Sequence, residues 1–120
     1  MARRVMIVDD AIFMRKVLRE ILSDNGYEIA GEVSRGNEVV PQYEALKPDL
    51  VTLDIMLPGT DGIEALKALM AKAPKARVVM ISSLGQDELV NEALQAGAKG
   101  FIIKPFIPKA VVSVLEKAFH

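Results

Sequence analysis

The stretch "RVMIVDDAIFMRKVLREIL" (residues 4–22) joins an apolar run, residues 5–8, to two adjacent carboxylates, Asp9 and Asp10, and then to a helical pattern. The apolar run predicts a buried strand. After the acids, apolar side chains recur at four-residue intervals and predict one face of an amphipathic helix: Phe13, Val17 and Ile21, and Met14, Leu18 and Leu22. Two like charges this close repel by up to ~4 kcal/mol at an effective dielectric of about 20, so we expect water or a cation beside them.

The same alternation of apolar runs and helical patterns continues to the end of the sequence. Four further runs predict strands at residues 29–33, 50–53, 78–81 and 101–103. Five strands alternating with five helices indicate an α/β domain with a mostly parallel sheet. The second predicted strand lies in "EIAGEVS" (residues 28–34), which contains Glu28 and Glu32, so we expect it at an edge of the sheet. Pro41 is expected to shorten, delay or kink the second helix.

Length and composition restrict the classes of protein to consider. The 120 residues correspond to one domain, residues 1–120. The chain has 15 basic and 16 acidic side chains, so it lacks the excess of positive charge that is typical of proteins that bind nucleic acid. The absence of Cys excludes disulfides and thiolate metal sites and suits a reducing compartment. No apolar stretch approaches the length of a membrane span. We therefore expect a cytoplasmic domain that binds neither nucleic acid nor membrane.

Polar side chains follow four of the five predicted strands. In strand order they are Asp9 and Asp10, Asp54, Ser82 and Ser83, and Lys104. Each has an ordinary explanation when taken alone; Asp10, for example, would suit a helix N-cap. Because ligands bind outside the carboxyl ends of parallel strands, however, all four groups are expected to share one crevice.

The chemistry of this set indicates phosphoryl transfer. Clustered carboxylates provide the hard oxygen ligands that Mg²⁺ prefers. A lysine and a hydroxyl beside them supply positioning and charge neutralisation for a phosphoryl group. Asp54 is the candidate nucleophile, because a carboxylate can form an aspartyl phosphate.

Four motifs make the sequence resemble the receiver domain of two-component response regulators, and most closely the single-domain chemotaxis type. They are "VDDAIFMRK", "PDLVTLDIMLPGTDGIEAL", "ISS" and "AGAKGFIIKPF", and they extend over nearly the whole chain. The resemblance implies a doubly wound, flavodoxin-like (βα)5 fold with strand order 2-1-3-4-5. It also implies a signalling module controlled by phosphorylation rather than a turnover enzyme.

The resemblance assigns a role to each polar side chain of the predicted crevice. Asp54 would accept a phosphoryl group from a phosphohistidine on a sensor histidine kinase. Asp9 and Asp10 would hold Mg²⁺ together with Asp54 and the backbone carbonyl of Met56. Lys104 would pair with the phosphate, and its peptide bond to Pro105 is expected to be cis.

Two positions carry the expected response to phosphorylation. Ser82, where Thr is frequent in the family, would donate a hydrogen bond to the phosphate. Phe101, where Tyr is frequent in chemotaxis members, would act as the aromatic switch of a surface that binds a protein target, with the flagellar motor switch as the candidate. The protein is expected to be a monomer.

The resemblance also bears on how long the phosphorylated state would last. Met56 and Leu84 would border the approach of water to the phosphoryl group and, being apolar, would make its self-hydrolysis slow.

Other functions compete with this interpretation. The chain would also suit the receiver portion of a longer regulator or a phosphorelay intermediate. A flavodoxin-like cofactor binder needs a phosphate-cradling loop after the first strand, where this sequence has the acidic "VDDAIFM". A phosphatase with an aspartyl intermediate would need a second acid two residues beyond Asp54, where Met56 stands.

Overall fold

The computed structural model describes residues 2–120, which form five strands and five α-helices in alternation. The strands are β1 (Arg4–Val8), β2 (Glu28–Val33), β3 (Leu50–Asp54), β4 (Val78–Ser82) and β5 (Gly100–Ile103). The helices are α1 (Ile12–Asp24), α2 (Val39–Leu46), α3 (Gly62–Lys72), α4 (Asp87–Gln95) and α5 (Pro108–Ala118). All strand pairs are parallel and the order is β2-β1-β3-β4-β5, which confirms the predicted fold and topology.

The sheet separates two apolar cores. On one face it packs against α2, α3 and α4, with Val39, Leu66 and Val90 among the buried contacts. On the other face it packs against α1 and α5, through side chains such as Leu22 and Leu115. Strands β3 and β4 are buried along their whole length, as expected for strands covered on both faces. Strand β2 lies at an edge, as predicted.

Helix α1 departs from the predicted apolar face at its first turn. Leu18, Ile21 and Leu22 are buried as expected, but Phe13 is 69% exposed. The helix begins at Ile12, beyond the carboxyl end of β1, so its first turn projects past the sheet and has no apolar surface to cover. Periodicity identifies the apolar face of a helix, but it does not show which end of that face extends beyond the sheet against which the helix packs.

Pro41 delays α2 without breaking it. A short 3₁₀ turn, Gly36–Glu38, precedes the helix, and Pro41 occupies the third helical position. The amide groups of the first turn have no partner within a helix, so the missing N–H of proline costs no hydrogen bond there. The helix is correspondingly short, at eight residues.

The end of α5 is tied to the turn between α1 and β2. The Tyr27 phenol donates a hydrogen bond to Glu116, and Arg3 pairs with the same carboxylate at 3.2 Å. Burial, followed by the hydrogen bond and charge of Glu116, raises the pKa of Tyr27 to about 12. This cluster lies at the opposite end of the sheet from the polar crevice.

Across residues 2–120, no helix has the length and apolar character needed to cross a bilayer.

Candidate functional site

The structure brings the three predicted acids together at the carboxyl ends of β1 and β3. Carboxylate oxygens of Asp9, Asp10 and Asp54 all lie within 4.8 Å of one another. Asp9 and Asp54 are 3% and 5% exposed, whereas Asp10 is open to solvent. Clustered carboxylate oxygens with one side open to water fit Mg²⁺, which binds through few carboxylates and keeps several water ligands.

Lys104 offsets part of the charge of this cluster. Its Nζ lies 2.6 Å from Asp54 Oδ2 and 3.2 Å from Asp9 Oδ2. Burial opposes the charged form of Lys104, but the hydrogen bond and charge of Asp54 and the charge of Asp9 outweigh it and raise the lysine pKa. The ammonium therefore offsets part of the electrostatic repulsion between these acids, which their positions in the sequence predict.

Burial dominates the electrostatics of Asp54. It raises the pKa of the carboxyl group, and the nearby charge of Asp9 acts in the same direction. Hydrogen bonds from Lys104 and from the backbone N–H of Met56 oppose that rise. A buried carboxylate whose two oxygens are already held, Oδ1 by Met56 N at 2.9 Å and Oδ2 by Lys104, is poorly hydrated and oriented for reaction.

Main-chain contacts fix Asp9, and Asp10 does not cap α1. The backbone N–H of Asp9 donates to the Val33 carbonyl at 3.0 Å, and Asp9 Oδ1 accepts from Ala11 N at 2.9 Å. The N-cap of α1 is Ala11, which forms no side-chain cap. The capping explanation of Asp10 is therefore wrong, and its carboxylate is free to face the other acids.

Two glycines allow close packing of the loop after β3, Gly62 against the end of that strand and Gly36 between the loop and the turn before α2. A Cβ on Gly62 would lie 2.0 Å from the Asp54 carbonyl oxygen, and one on Gly36 would lie 2.0 Å from the Thr60 carbonyl oxygen. The Gly62 N–H donates to the Ile55 carbonyl at 2.8 Å. These backbone contacts fix the loop that carries Met56. Sequence reasoning missed them, and the glycine that ends "GTDG" (residues 59–62) is the signal that could have indicated such a close approach of two main chains.

Ser82 and Phe101 line a common cavity on the α4 side of the sheet. Ser82 ends β4 and is 2% exposed, while Phe101 is 39% exposed. The cavity has a volume of about 320 Å³, and its walls include Val90 of α4 and Ile103 of β5. Phe101 is therefore not a fully buried core residue, and there is open space beside its ring.

The remaining predicted positions lie around the same edge. Met56 and Leu84 follow β3 and β4, and their side chains are 60% and 82% exposed. The peptide bond between Lys104 and Pro105 is cis, as predicted. Sequence reasoning did not single out Arg15, whose guanidinium donates to the Asp9 carbonyl at 2.7 Å, because that bond depends on how the chain turns from β1 into α1.

Comparison with known proteins agrees with the geometry. The response regulator receiver domain family matches residues 5–116. The chain is 50% identical over 117 residues to the chemotaxis protein CheY of Thermotoga maritima, covering 98% of each chain, and 45% identical over 120 residues to that of Bacillus subtilis, covering 100% of each.

A solved structure extends the agreement to three dimensions. The chain is similar to one in the CheX–CheY–BeF3–Mg²⁺ complex from Borrelia burgdorferi, with a TM-score of 0.93 and 39% identity, covering 98% of this chain and 90% of that one. The fold, the acidic crevice and these similarities lead to one conclusion: the chain belongs to the response regulator receiver domain family.

Proposed function

We propose that the protein is a phosphorylation-controlled chemotaxis regulator in which Asp54 accepts a phosphoryl group from a phosphohistidine of a sensor histidine kinase. The observation that carries the proposal is the position of Lys104, whose ammonium lies between the buried carboxylates of Asp54 and Asp9. A lysine ammonium beside an acid cluster can exchange its carboxylate contacts for contacts with phosphoryl oxygens.

The reaction forms one bond and breaks one. An oxygen of Asp54 attacks phosphorus, the P–N bond to the imidazole breaks, and the leaving nitrogen keeps the electron pair and takes up a proton. Mg²⁺, held by Asp9, Asp10, Asp54 and the Met56 carbonyl, would neutralise charge on the phosphoryl oxygens. Lys104 would transfer its hydrogen bond from Asp54 to the phosphoryl group.

The modified aspartate is the signal rather than an intermediate of turnover. A phosphoryl group adds charge and three acceptor oxygens at the end of β3. Ser82, which ends the adjacent strand, would donate to it and move the loop after β4. The change would then reach the cavity beside Phe101 and alter the surface that α4, β5 and α5 present to a target protein.

Exposed apolar side chains around the crevice support a protein as phosphoryl donor. Ile12, Phe13, Met56 and Leu84 are between 60% and 82% exposed, and they follow β1, β3 and β4 at the same edge of the sheet. Large exposed apolar side chains around a polar site are typical of surfaces that bind proteins. A kinase domain that presents a phosphohistidine fits such a rim better than a small soluble donor does.

The chemotaxis assignment rests on the relatives, two of which are the CheY proteins of Thermotoga maritima and Bacillus subtilis. The proposal therefore includes the flagellar motor switch as the candidate target and a monomer as the acting form. It includes a cytoplasmic location, because a kinase draws its phosphoryl group from ATP inside the cell. A role as the receiver portion of a longer regulator would retain the same chemistry.

Mass spectrometry of the intact protein tests the proposal. Incubation with a small acyl phosphate and Mg²⁺ is expected to add one phosphoryl group, and removal of Mg²⁺ with a chelator is expected to abolish the addition. Asp54→Asn is expected to remain unmodified, whereas Asp24→Asn, at the far end of α1, serves as the matched control and is expected to react normally. Equal uptake by Asp54→Asn and the unsubstituted protein would overturn the assignment.

A further inference from the structure

Arg15 connects the metal site to the edge strand of the sheet. One guanidinium nitrogen donates to the Asp9 carbonyl at 2.7 Å, and Nε donates to Glu32 of β2 at 3.2 Å. The second oxygen of Glu32 accepts from Arg19 at 2.7 Å. The Arg15 side chain is only 15% exposed and that of Glu32 is 26% exposed, so this is a partly buried arrangement.

The bond to the Asp9 carbonyl has a consequence for Asp10. That carbonyl belongs to the planar peptide unit that joins the two aspartates, so holding its oxygen fixes the direction in which Asp10 leaves the strand. Within residues 2–120 the Asp10 side chain forms no hydrogen bond of its own. Its orientation toward Asp54 therefore depends on the peptide unit before it.

We propose that Arg15 is a positioning residue of the metal site: anchored by Glu32, it holds the peptide unit between Asp9 and Asp10 so that both carboxylates face Asp54. This inference rests on the proposed function, because it assumes that the three acids bind Mg²⁺. Arg15 acts through the main chain and touches neither the metal nor the phosphoryl group.

Positioning and simple electrostatics predict opposite results. Arg15 is a cation close to a cation site, so through charge alone its removal strengthens Mg²⁺ binding or leaves it unchanged. If Arg15 positions the aspartates, its removal weakens Mg²⁺ binding. Loss of a group that orients metal ligands typically costs 10–100-fold in affinity.

Arg15→Gln and Arg19→Gln form a matched pair for the test. Each removes one cation that pairs with Glu32, and only the first removes the bond to the Asp9 carbonyl. Because the chain has no Trp whose fluorescence could report binding, Mg²⁺ affinity is measured by isothermal titration calorimetry. We expect Arg15→Gln to raise the Mg²⁺ Kd by about tenfold and Arg19→Gln to leave it unchanged or slightly lower.

A third variant keeps the test independent of folding. Thermal unfolding in a chelator shows whether Arg15→Gln is folded at the titration temperature. Arg15→Lys retains the charge but has a single ammonium in place of the planar fork, so it cannot serve both acceptors with the same geometry. We expect its Mg²⁺ Kd to be raised as well, by a smaller factor than in Arg15→Gln.

The outcomes separate the two proposals. Unchanged Mg²⁺ affinity in folded Arg15→Gln, or in Arg15→Lys should the first variant not fold, would overturn the positioning role alone. An equal loss of affinity in Arg19→Gln would overturn it too, because that residue does not contact Asp9. Failure of the unsubstituted protein to bind Mg²⁺ would overturn the proposed function and this inference together.

Discussion

Replacing Phe101 with Ala should weaken binding of the phosphate mimic beryllofluoride, although the ring is not part of the acidic crevice. On the proposed mechanism the ring turns into the cavity of about 320 Å³ beside Ser82 when Asp54 carries a phosphoryl group. Burial of the ring then contributes to the stability of the modified state. The Ala variant lacks that contribution, so the mimic gains less by binding.

The size of the effect follows from the exposure of the ring. Phe101 is 39% exposed, and 39% of the roughly 200 Å² that a Phe side chain buries is about 80 Å². At about 25 cal/mol per Å², burying that area contributes ~2 kcal/mol. This corresponds to a loss of up to about 30-fold in affinity for the mimic, since 1.4 kcal/mol is about tenfold.

Calorimetric titration of beryllofluoride in saturating Mg²⁺ measures the effect. Ile103→Ala is the matched control, because Ile103 lines the same cavity from the same strand and is 42% exposed. We expect that control to bind the mimic with nearly unchanged affinity. Affinity in Phe101→Ala equal to that of the unsubstituted protein would refute the reasoning, as would an identical Phe101 torsion with and without the mimic while a target still distinguishes the two states.

Three further predictions follow from the site and from the far end of α5. Asp10→Ala should weaken Mg²⁺ binding in a calorimetric titration without lowering the metal-free melting temperature, because Asp10 caps no helix; a large drop in that temperature would contradict this. Met56→Asn should speed loss of the phosphoryl group, followed by intact mass, because the apolar side chain cannot orient a water; a slower loss would count against it. The folded state retains the Tyr27 proton up to about pH 12, whereas the unfolded state loses it near pH 10. The free energy of unfolding should therefore fall as the pH rises from 10 to 12, by up to roughly 2.7 kcal/mol. Denaturant titrations should show a smaller fall in Tyr27→Phe, and an equal fall would exclude Tyr27 as its cause.

The sequence was sufficient to predict the crevice because the topology of a parallel sheet alone brings the polar residues that follow its strands together. Once five parallel strands are recognised, every residue that follows a strand must lie at one edge, and Asp9, Asp54 and Lys104 needed no further information. The family resemblance added the strand order and the cis bond before Pro105, neither of which periodicity contains.

The contacts that support the crevice were not predictable in the same way. The bonds of Arg15 depend on how α1 packs against β2, and the close approach of Gly62 to the Asp54 carbonyl depends on the path of a loop. Phe13 lies in a correct helical pattern but on a turn that the sheet does not reach. Each depends on distances between elements, which a one-dimensional pattern does not specify.

The division of the molecule by its sheet has a consequence for how such a chain can diversify. Asp9 and Lys104 follow Ile7 and Ile102 by two residues, so by strand alternation they belong to the side of the sheet that packs against α1 and α5. Ser82 and Phe101 line the cavity on the α4 side. Substitutions at solvent-facing positions of α4, such as Asn91, can change the choice of target without altering the acids or the lysine. On the proposed function, chains that differ only at such positions are therefore expected to bind different targets while they accept phosphoryl groups by the same chemistry.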